Sequence, residues 1–192
     1  MGDWWESDSE LQSWNASQMT PYMFVGSVDD AHYLEGLREN GITHILNVAD
    51  DAENLFEDSG EFVYCNLNVK DFGEDIGISR VFPEAVEFVR TLLSGSDNKV
   101  LIHCVHGMSR DPSVSIAILM NIESISLREA WTKVITARKC AAPELSNRTQ
   151  LILHEQQLFQ QNSITDPYEF FRIYEQVHNP GYYLIKQAMG GK

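Results

Sequence analysis

A cysteine and an arginine, Cys104 and Arg110, stand six positions apart in the segment HCVHGMSR. A thiolate is a strong nucleophile, and a guanidinium has a planar fork that can bind two phosphate oxygens at once. Gly107, within the same segment, permits the backbone angles and the close approach that a curled loop needs. These residues predict that the Cys104 sulfur attacks phosphorus while Arg110 holds the phosphate.

The segment is flanked by elements that suit this chemistry. An apolar run at Val100–His103 precedes it, and an almost wholly apolar helix is predicted to follow. Loops between a buried strand and a helix bind ligands in open α/β sheets, and the helix start favours anions. We expect the loop to surround a phosphate with these residues: Val105, His106, Gly107, Met108, Ser109 and Arg110. The same environment should lower the pKa of Cys104 from about 8.5 to roughly 3.5–7.5, without any metal or cofactor.

Loss of an alkoxide or phenolate leaving group requires a proton, so a carboxylic acid is expected near the loop. Asp71 follows a predicted strand and opens a segment that contains glycine. From the residues alone, a general acid and a solvated loop aspartate are equally compatible with this position.

Strand and helix patterns alternate along the chain. Strands are predicted at 22–25, 42–48, 62–67 and 100–103, and helices at 29–41, 81–93, 111–120, 127–138, 148–160, 168–177 and 181–189. This alternation predicts an α/β fold with a central, twisted, mostly parallel sheet flanked by helices. We divide the chain into an N-terminal extension at 1–20, a catalytic domain at 21–160 and a C-terminal helical extension at 161–192. The last is apolar enough either to pack on the domain or to contact a partner.

Composition narrows the function classes. The net charge is −14, with 28 acidic and 14 basic residues, which opposes binding to nucleic acid and to anionic membranes. Three cysteines form neither a paired disulfide set nor a metal-ligand cluster, so a reducing compartment, cytoplasmic or nuclear, is expected. No run is apolar and long enough to span a bilayer.

The segment HCVHGMSR resembles the phosphate-binding loop of the cysteine-based protein tyrosine phosphatases. Three further stretches, FVGSVDDAHYLEGLRENGITHILNV, NVKDFGEDI and SVSIAILM, resemble dual-specificity phosphatases in order and spacing. The resemblance covers roughly residues 21–160. It implies an atypical, single-domain enzyme that hydrolyses phosphate on Tyr and on Ser or Thr of phosphoproteins through a phosphocysteine intermediate.

The resemblance also implies individual roles. Asp71 matches the general acid, which later acts as base on the hydrolytic water, and Asp75 is a secondary candidate. His103 would order the loop beneath the cysteine, and Ser109 would brace it. Asn47 resembles an asparagine that pins the loop backbone, although a plain turn cap fits it nearly as well.

One position departs from the family pattern. Asp111 stands after the loop arginine, where the family usually carries Ser or Thr, and Pro112 follows it. Asp as N-cap with Pro at the first helical position would make a strong helix start. A carboxylate beside Cys104 should raise the pKa of the thiol and weaken phosphate binding. We hypothesise that Asp111 slows turnover, at breakdown of phosphocysteine, and shifts the pH optimum towards acid.

Two other functions remain open at this point. Asp111 also fits a phosphoprotein-binding module with weak or no catalysis. Phosphate on RNA, lipid or glycan is a third substrate class, but the acidic charge and the absence of Lys from the loop favour a phosphoprotein.

Overall fold

The computed structural model describes residues 13–71 and 77–188, with side chains described up to residue 184. Within these ranges the chain forms five strands: Ser17–Thr20 (β1), Met23–Gly26 (β2), His44–Ala49 (β3), Val63–Val69 (β4) and Val100–His103 (β5). They make one sheet in the order β1-β2-β5-β3-β4, in which β1 is antiparallel to β2 and the other pairs are parallel. The predicted mostly parallel sheet is confirmed.

Eight α-helices occur in the same ranges: Val28–Ala31 (α1), Leu34–Glu39 (α2), Phe82–Leu92 (α3), Arg110–Glu123 (α4), Leu127–Ala137 (α5), Leu145–Phe159 (α6), Glu169–His178 (α7) and Pro180–Ala188 (α8). Short 3-10 turns at Glu57–Ser59 and Ile78–Val81 are the other helical segments of the described residues.

Strand β5 is central and has the bounds that its apolar run predicts. It lies between β2 and β3 and is parallel to both, and all four of its residues are buried. Two-sided burial explains why the run has no alternating pattern. The strand ends at His103, so the residue that leaves the sheet next is Cys104.

The two faces of the sheet are covered by different helices. Phe24, Ile45 and Leu101 belong to a small cluster with Leu37 of α2. Neighbouring strand residues point the opposite way, into a larger core with residues of α3, α4, α5 and α6. This core surrounds α4, whose residues from Arg110 to Met120 are all buried. The loop between β5 and α4 is therefore fixed at both ends.

The N-terminal part of the body differs in detail from the prediction. The sheet already includes β1, which lies within the segment predicted as an extension. The single helix predicted from Asp29 to Gly41 is instead two short helices, α1 and α2, interrupted at 32–33. The N-cap of α1 is Ser27, whose backbone N–H donates to the Asp30 carboxylate at 2.8 Å.

Helix α7 packs on the domain. Phe170 and Ile173 are buried, and the Trp131 indole N–H of α5 donates to the Phe170 carbonyl at 3.0 Å. In contrast, Tyr182 and Leu184 of α8 are exposed. None of the helices in the described ranges has the length and apolarity that a bilayer crossing needs.

Candidate active site

The loop at 104–110 curls at the carboxyl end of β5. Gly107 has φ +67°, a left-handed conformation that side chains other than glycine rarely adopt. A Cβ added there would lie 2.7 Å from the Gly26 carbonyl oxygen and would also collide with the Arg138 guanidinium. Glycine is therefore required both for the turn and for the close packing of the loop on β2.

Cys104 lies at the bottom of this loop and is 3% exposed. The backbone N–H of Gly107 donates to its sulfur at 3.3 Å. The sulfur thus stands where the loop curls around it, next to the start of α4. This is the placement that a nucleophile attacking a loop-bound phosphate needs.

Backbone N–H groups of α1 and of the segment that precedes α6 donate hydrogen bonds that hold the loop in shape. The Val28 N–H of α1 donates to the Val105 carbonyl at 3.1 Å, and the Ala142 N–H donates to the Met108 carbonyl at 2.7 Å. The Ser109 hydroxyl oxygen accepts from the Glu144 N–H at 3.1 Å. Ser109 therefore contacts the N-cap of α6, and its bracing role stays a prediction.

Arg138, which no sequence pattern marks, supports the loop through hydrogen bonds to its backbone and to β2. It follows α5, is 4% exposed, and donates through Nε to the Gly107 carbonyl at 2.6 Å and through Nη1 to the Val25 carbonyl at 3.2 Å. Its partners lie 31 and 113 residues away in sequence. A sequence pattern carries no signal for such contacts.

Arg110 is buried beside the loop, with 3% of its surface exposed, and it is surrounded by oxygen atoms. Its Nη1 donates to Asp51 Oδ1 at 2.7 Å and to the Val69 carbonyl at 3.0 Å. Its Nη2 lies 3.5 Å from Asp71 Oδ2. The structure thus brings the predicted arginine and the predicted acid together at one site.

Asp51 was missed by the sequence analysis, as was Asp50, which lies 3.7 Å from Arg110 Nη1. A signal existed, because both residues follow β3, a parallel neighbour of β5. The carboxyl ends of parallel strands meet at one edge of a sheet, where ligands bind. That rule would have placed these carboxylates beside the loop.

Asn47 does not pin the 104–110 loop through any hydrogen bond shown for the described residues. Its amide donates to the Ala52 carbonyl at 2.8 Å and to Asn54 Oδ1 at 2.9 Å, and its own oxygen accepts from the Ala49 N–H at 3.1 Å. These bonds support the turn-cap interpretation. Asn47 holds the loop that carries Asp51.

His103 is fully buried, and its Nδ1 lies 3.2 Å from the Cys104 carbonyl oxygen. Burial lowers the pKa of His103 to about 4, so the ring is neutral near pH 7 and does not supply a positive charge. His106 and Met108 are exposed at the mouth of the loop. Asp75 lies outside the described residues.

Asp111 is placed differently from the prediction. The N-cap of α4 is Ser109, and Asp111 is the second helical residue, fully buried, with Oδ1 2.8 Å from Cys104 Sγ. Burial and then the Asp111 carboxylate raise the pKa of the Cys104 thiol, and burial raises the pKa of Asp111. The direction is the one expected from the Asp111 carboxylate, and the lowering expected from the loop environment is wrong, because desolvation and the neighbouring acid outweigh the loop amides.

Comparison with known proteins shows the family to which the chain belongs. A family model described as dual specificity phosphatase, catalytic domain, matches residues 23–157. Human dual specificity protein phosphatase 9 is 36% identical over 141 residues, which are 73% of this chain and 36% of that protein. The chain thus spans about a third of the length of that curated relative.

Solved structures that superpose on this chain include two dual specificity phosphatases. Human DUSP28 superposes with a TM-score of 0.67 and 25% identity, over 74% of this chain and 94% of that one. A mouse putative dual specificity phosphatase, complexed with zinc tungstate, gives a TM-score of 0.69 and 28% identity, over 80% and 94% of the two chains.

Proposed function

Because the chain belongs to the dual specificity phosphatase family, we propose that it hydrolyses phosphate monoesters on phosphoproteins, at Tyr and at Ser or Thr. The observation that carries the proposal is the convergence of Cys104, the Gly107 N–H and Arg110 at the carboxyl end of β5.

In this mechanism the Cys104 sulfur attacks phosphorus in line and forms phosphocysteine. The loop N–H groups and Arg110 stabilise the charge on the equatorial phosphate oxygens. Asp71 donates a proton to the leaving oxygen and then accepts one from the water that hydrolyses the intermediate. Its contact with Arg110, at 3.5 Å, supports this position.

The charges around the site favour a substrate with a single phosphate. Asp50 and Asp51 are 33% and 55% exposed next to Arg110, and the loop offers no lysine. Carboxylates at the rim repel additional negative charge, which disfavours RNA and multiply phosphorylated lipids. A phosphorylated side chain on a protein presents one dianion and fits this arrangement.

Hydrolysis of p-nitrophenyl phosphate tests the proposal. The wild-type protein should release p-nitrophenolate, and Cys104→Ser should abolish the release. Cys65→Ser is the matched control, because Cys65 lies on β4, outside the loop, and should leave the rate unchanged.

Two outcomes would contradict the proposal. Activity that survives Cys104→Ser would exclude this nucleophile. Complete inactivity of the folded wild-type protein, together with binding of a phosphotyrosine peptide, would favour the phosphoprotein-binding module instead.

A further inference from the structure

The contact between Cys104 and Asp111 constrains where protons lie in the resting site. Sγ and Oδ1 are 2.8 Å apart, and the two residues are 3% and 0% exposed. A thiolate and a carboxylate at this distance, away from water, would repel each other strongly. The pair must therefore hold at least one proton, located between the two atoms.

The surroundings of Asp111 determine how that proton can move. Arg110 on the same helix and Arg138, after α5, are the described charged groups that act on it, and both favour the ionised carboxylate. Against them, the second oxygen, Oδ2, is buried and has no hydrogen-bond partner among the described residues. An ionised, unpaired buried oxygen is costly, and protonation of the carboxyl relieves that cost. Asp111 is thus balanced between its two protonation states.

We propose that Cys104 and Asp111 share one proton, and that Asp111 accepts it from the thiol when the sulfur attacks phosphorus. The inference rests on the proposed phosphatase function and adds a proton acceptor to it. Asp111 contacts the reacting sulfur, so this is a catalytic role. In this mechanism the Cys104 thiolate forms while the sulfur attacks phosphorus and is not present before substrate binds.

The proton balance closes over one turnover. In the first half, the S–H bond breaks, its proton goes to Asp111 Oδ1, and the S–P bond forms. The P–O bond to the leaving group breaks, and that oxygen takes a proton from Asp71. In the second half, water adds to phosphorus and gives a proton to Asp71, while the S–P bond breaks and sulfur regains its proton from Asp111. Phosphate leaves, and both carboxyl groups return to their starting states.

The proposal fixes the direction of the pH dependence. At low pH the pair carries two protons, so the thiol has no acceptor and cannot attack. Activity requires loss of one proton from the pair, and burial, which raises the pKa of Asp111, places that loss at higher pH than for a loop whose cysteine is already a thiolate. The rising limb of the rate therefore moves towards alkaline pH. This direction is opposite to the acid optimum that the sequence suggested.

Alkylation of Cys104 by iodoacetamide tests the inference without relying on turnover. Its rate, followed on the Cys104 peptide by mass spectrometry, reports the thiolate fraction at each pH. Asp111→Asn and Asp111→Ser remove the carboxylate and keep a hydrogen-bond donor. Asp29→Asn is the matched control, because Asp29 is the second residue of α1 and is exposed.

We expect both Asp111 variants to alkylate at least about tenfold faster than wild type near pH 7, since one pKa unit changes the thiolate fraction tenfold. In the same variants kcat/KM should fall near pH 7 and its rising limb should move to higher pH, because the thiol has lost its proton acceptor and must ionise unaided while burial still raises its pKa. Asp29→Asn should match wild type in both measurements. A rising limb that moves to lower pH would overturn the inference, because Asp111 would then only repel the thiolate. If Asp111 only supported the fold, its replacement would lower kcat/KM at every pH without moving the rising limb.

If the Asp111 variants do not fold, the ultraviolet absorbance of the Cys104 thiolate can be measured instead. It is the difference in absorbance between wild type and Cys104→Ser, so it needs no Asp111 variant. We expect little thiolate signal at neutral pH. A full thiolate signal there, or equal alkylation profiles in folded wild type and variants, would overturn the inference. Failure of the phosphatase proposal would be a separate result. Activity that survives Cys104→Ser would exclude Cys104 as the nucleophile, but the alkylation rate and the thiolate absorbance of Cys104 could still be measured.

Discussion

Replacing Asp51 by Asn is expected to strengthen the binding of phosphate-like oxyanions by up to about fivefold. In the resting structure, Asp51 Oδ1 lies 2.7 Å from Arg110 Nη1, which is part of the fork assigned to the substrate phosphate. A bound dianion must compete with this carboxylate for the same donor and must approach it closely. The present contact therefore opposes binding.

The exposure of the two side chains sets the magnitude. Arg110 is 3% exposed, but Asp51 is 55% exposed, so water screens the pair. A pair screened in this way contributes ~1 kcal/mol at most. Since about 1.4 kcal/mol corresponds to a tenfold change in affinity, removal of ~1 kcal/mol of competition gives about fivefold.

Tungstate, the oxyanion bound with zinc in the mouse structural relative, is a suitable probe. Calorimetric titration of tungstate into Cys104→Ser protein, with and without Asp51→Asn, measures binding independently of turnover. Asp58→Asn is the control, because Asp58 is exposed in the 3-10 turn at Glu57–Ser59. The difference should shrink as salt is added. Unchanged or weaker tungstate binding in the Asp51 variant would refute the reasoning.

Three further changes test other parts of the account. Asp71→Asn should reduce the rate roughly 10²- to 10⁴-fold for an alkyl phosphate and far less for p-nitrophenyl phosphate, whose leaving group needs little protonation; equal losses on both substrates in steady-state assays would exclude a general acid. Gly107→Ala should abolish activity and lower the melting temperature, because the added Cβ meets the Gly26 carbonyl and Arg138 at a positive φ; normal kcat/KM would contradict the loop geometry. Phe170→Ala should lower the free energy of unfolding by about 3–5 kcal/mol in urea, since the ring is 1% exposed; a loss below about 1 kcal/mol would show that α7 is not part of the core.

The part of the site that is local in sequence could be predicted. Cys104, Gly107 and Arg110 fall within one loop, and the apolar run before them defines β5 at the bounds that the structure shows. Local propensity and a fully buried strand pattern carry this information. The family resemblance added Asp71, which the structure places against Arg110.

The parts set by long-range packing could not be predicted. Whether Asp111 is a solvated helix cap or a buried neighbour of Cys104 depends on how α4 enters the core, and the residue type fits both. Arg138 is an arginine after a helix, a position normally exposed, and only the fold turns it inward. The sequence predicted two opposed effects on the Cys104 pKa, a lowering by the loop and a raising by Asp111. Which of them prevails depends on the burial of both groups, which the spacing of loop residues does not show.

Trapping of the covalent intermediate tests the central claim most directly. The protein is mixed with a phosphorylated substrate, quenched in acid within the first turnover, and digested for mass spectrometry. The account predicts a phosphate on the peptide that contains Cys104, absent when Cys104→Ser is treated in the same way. Substrate turnover with no phosphate on Cys104, or with phosphate on another residue, would contradict it.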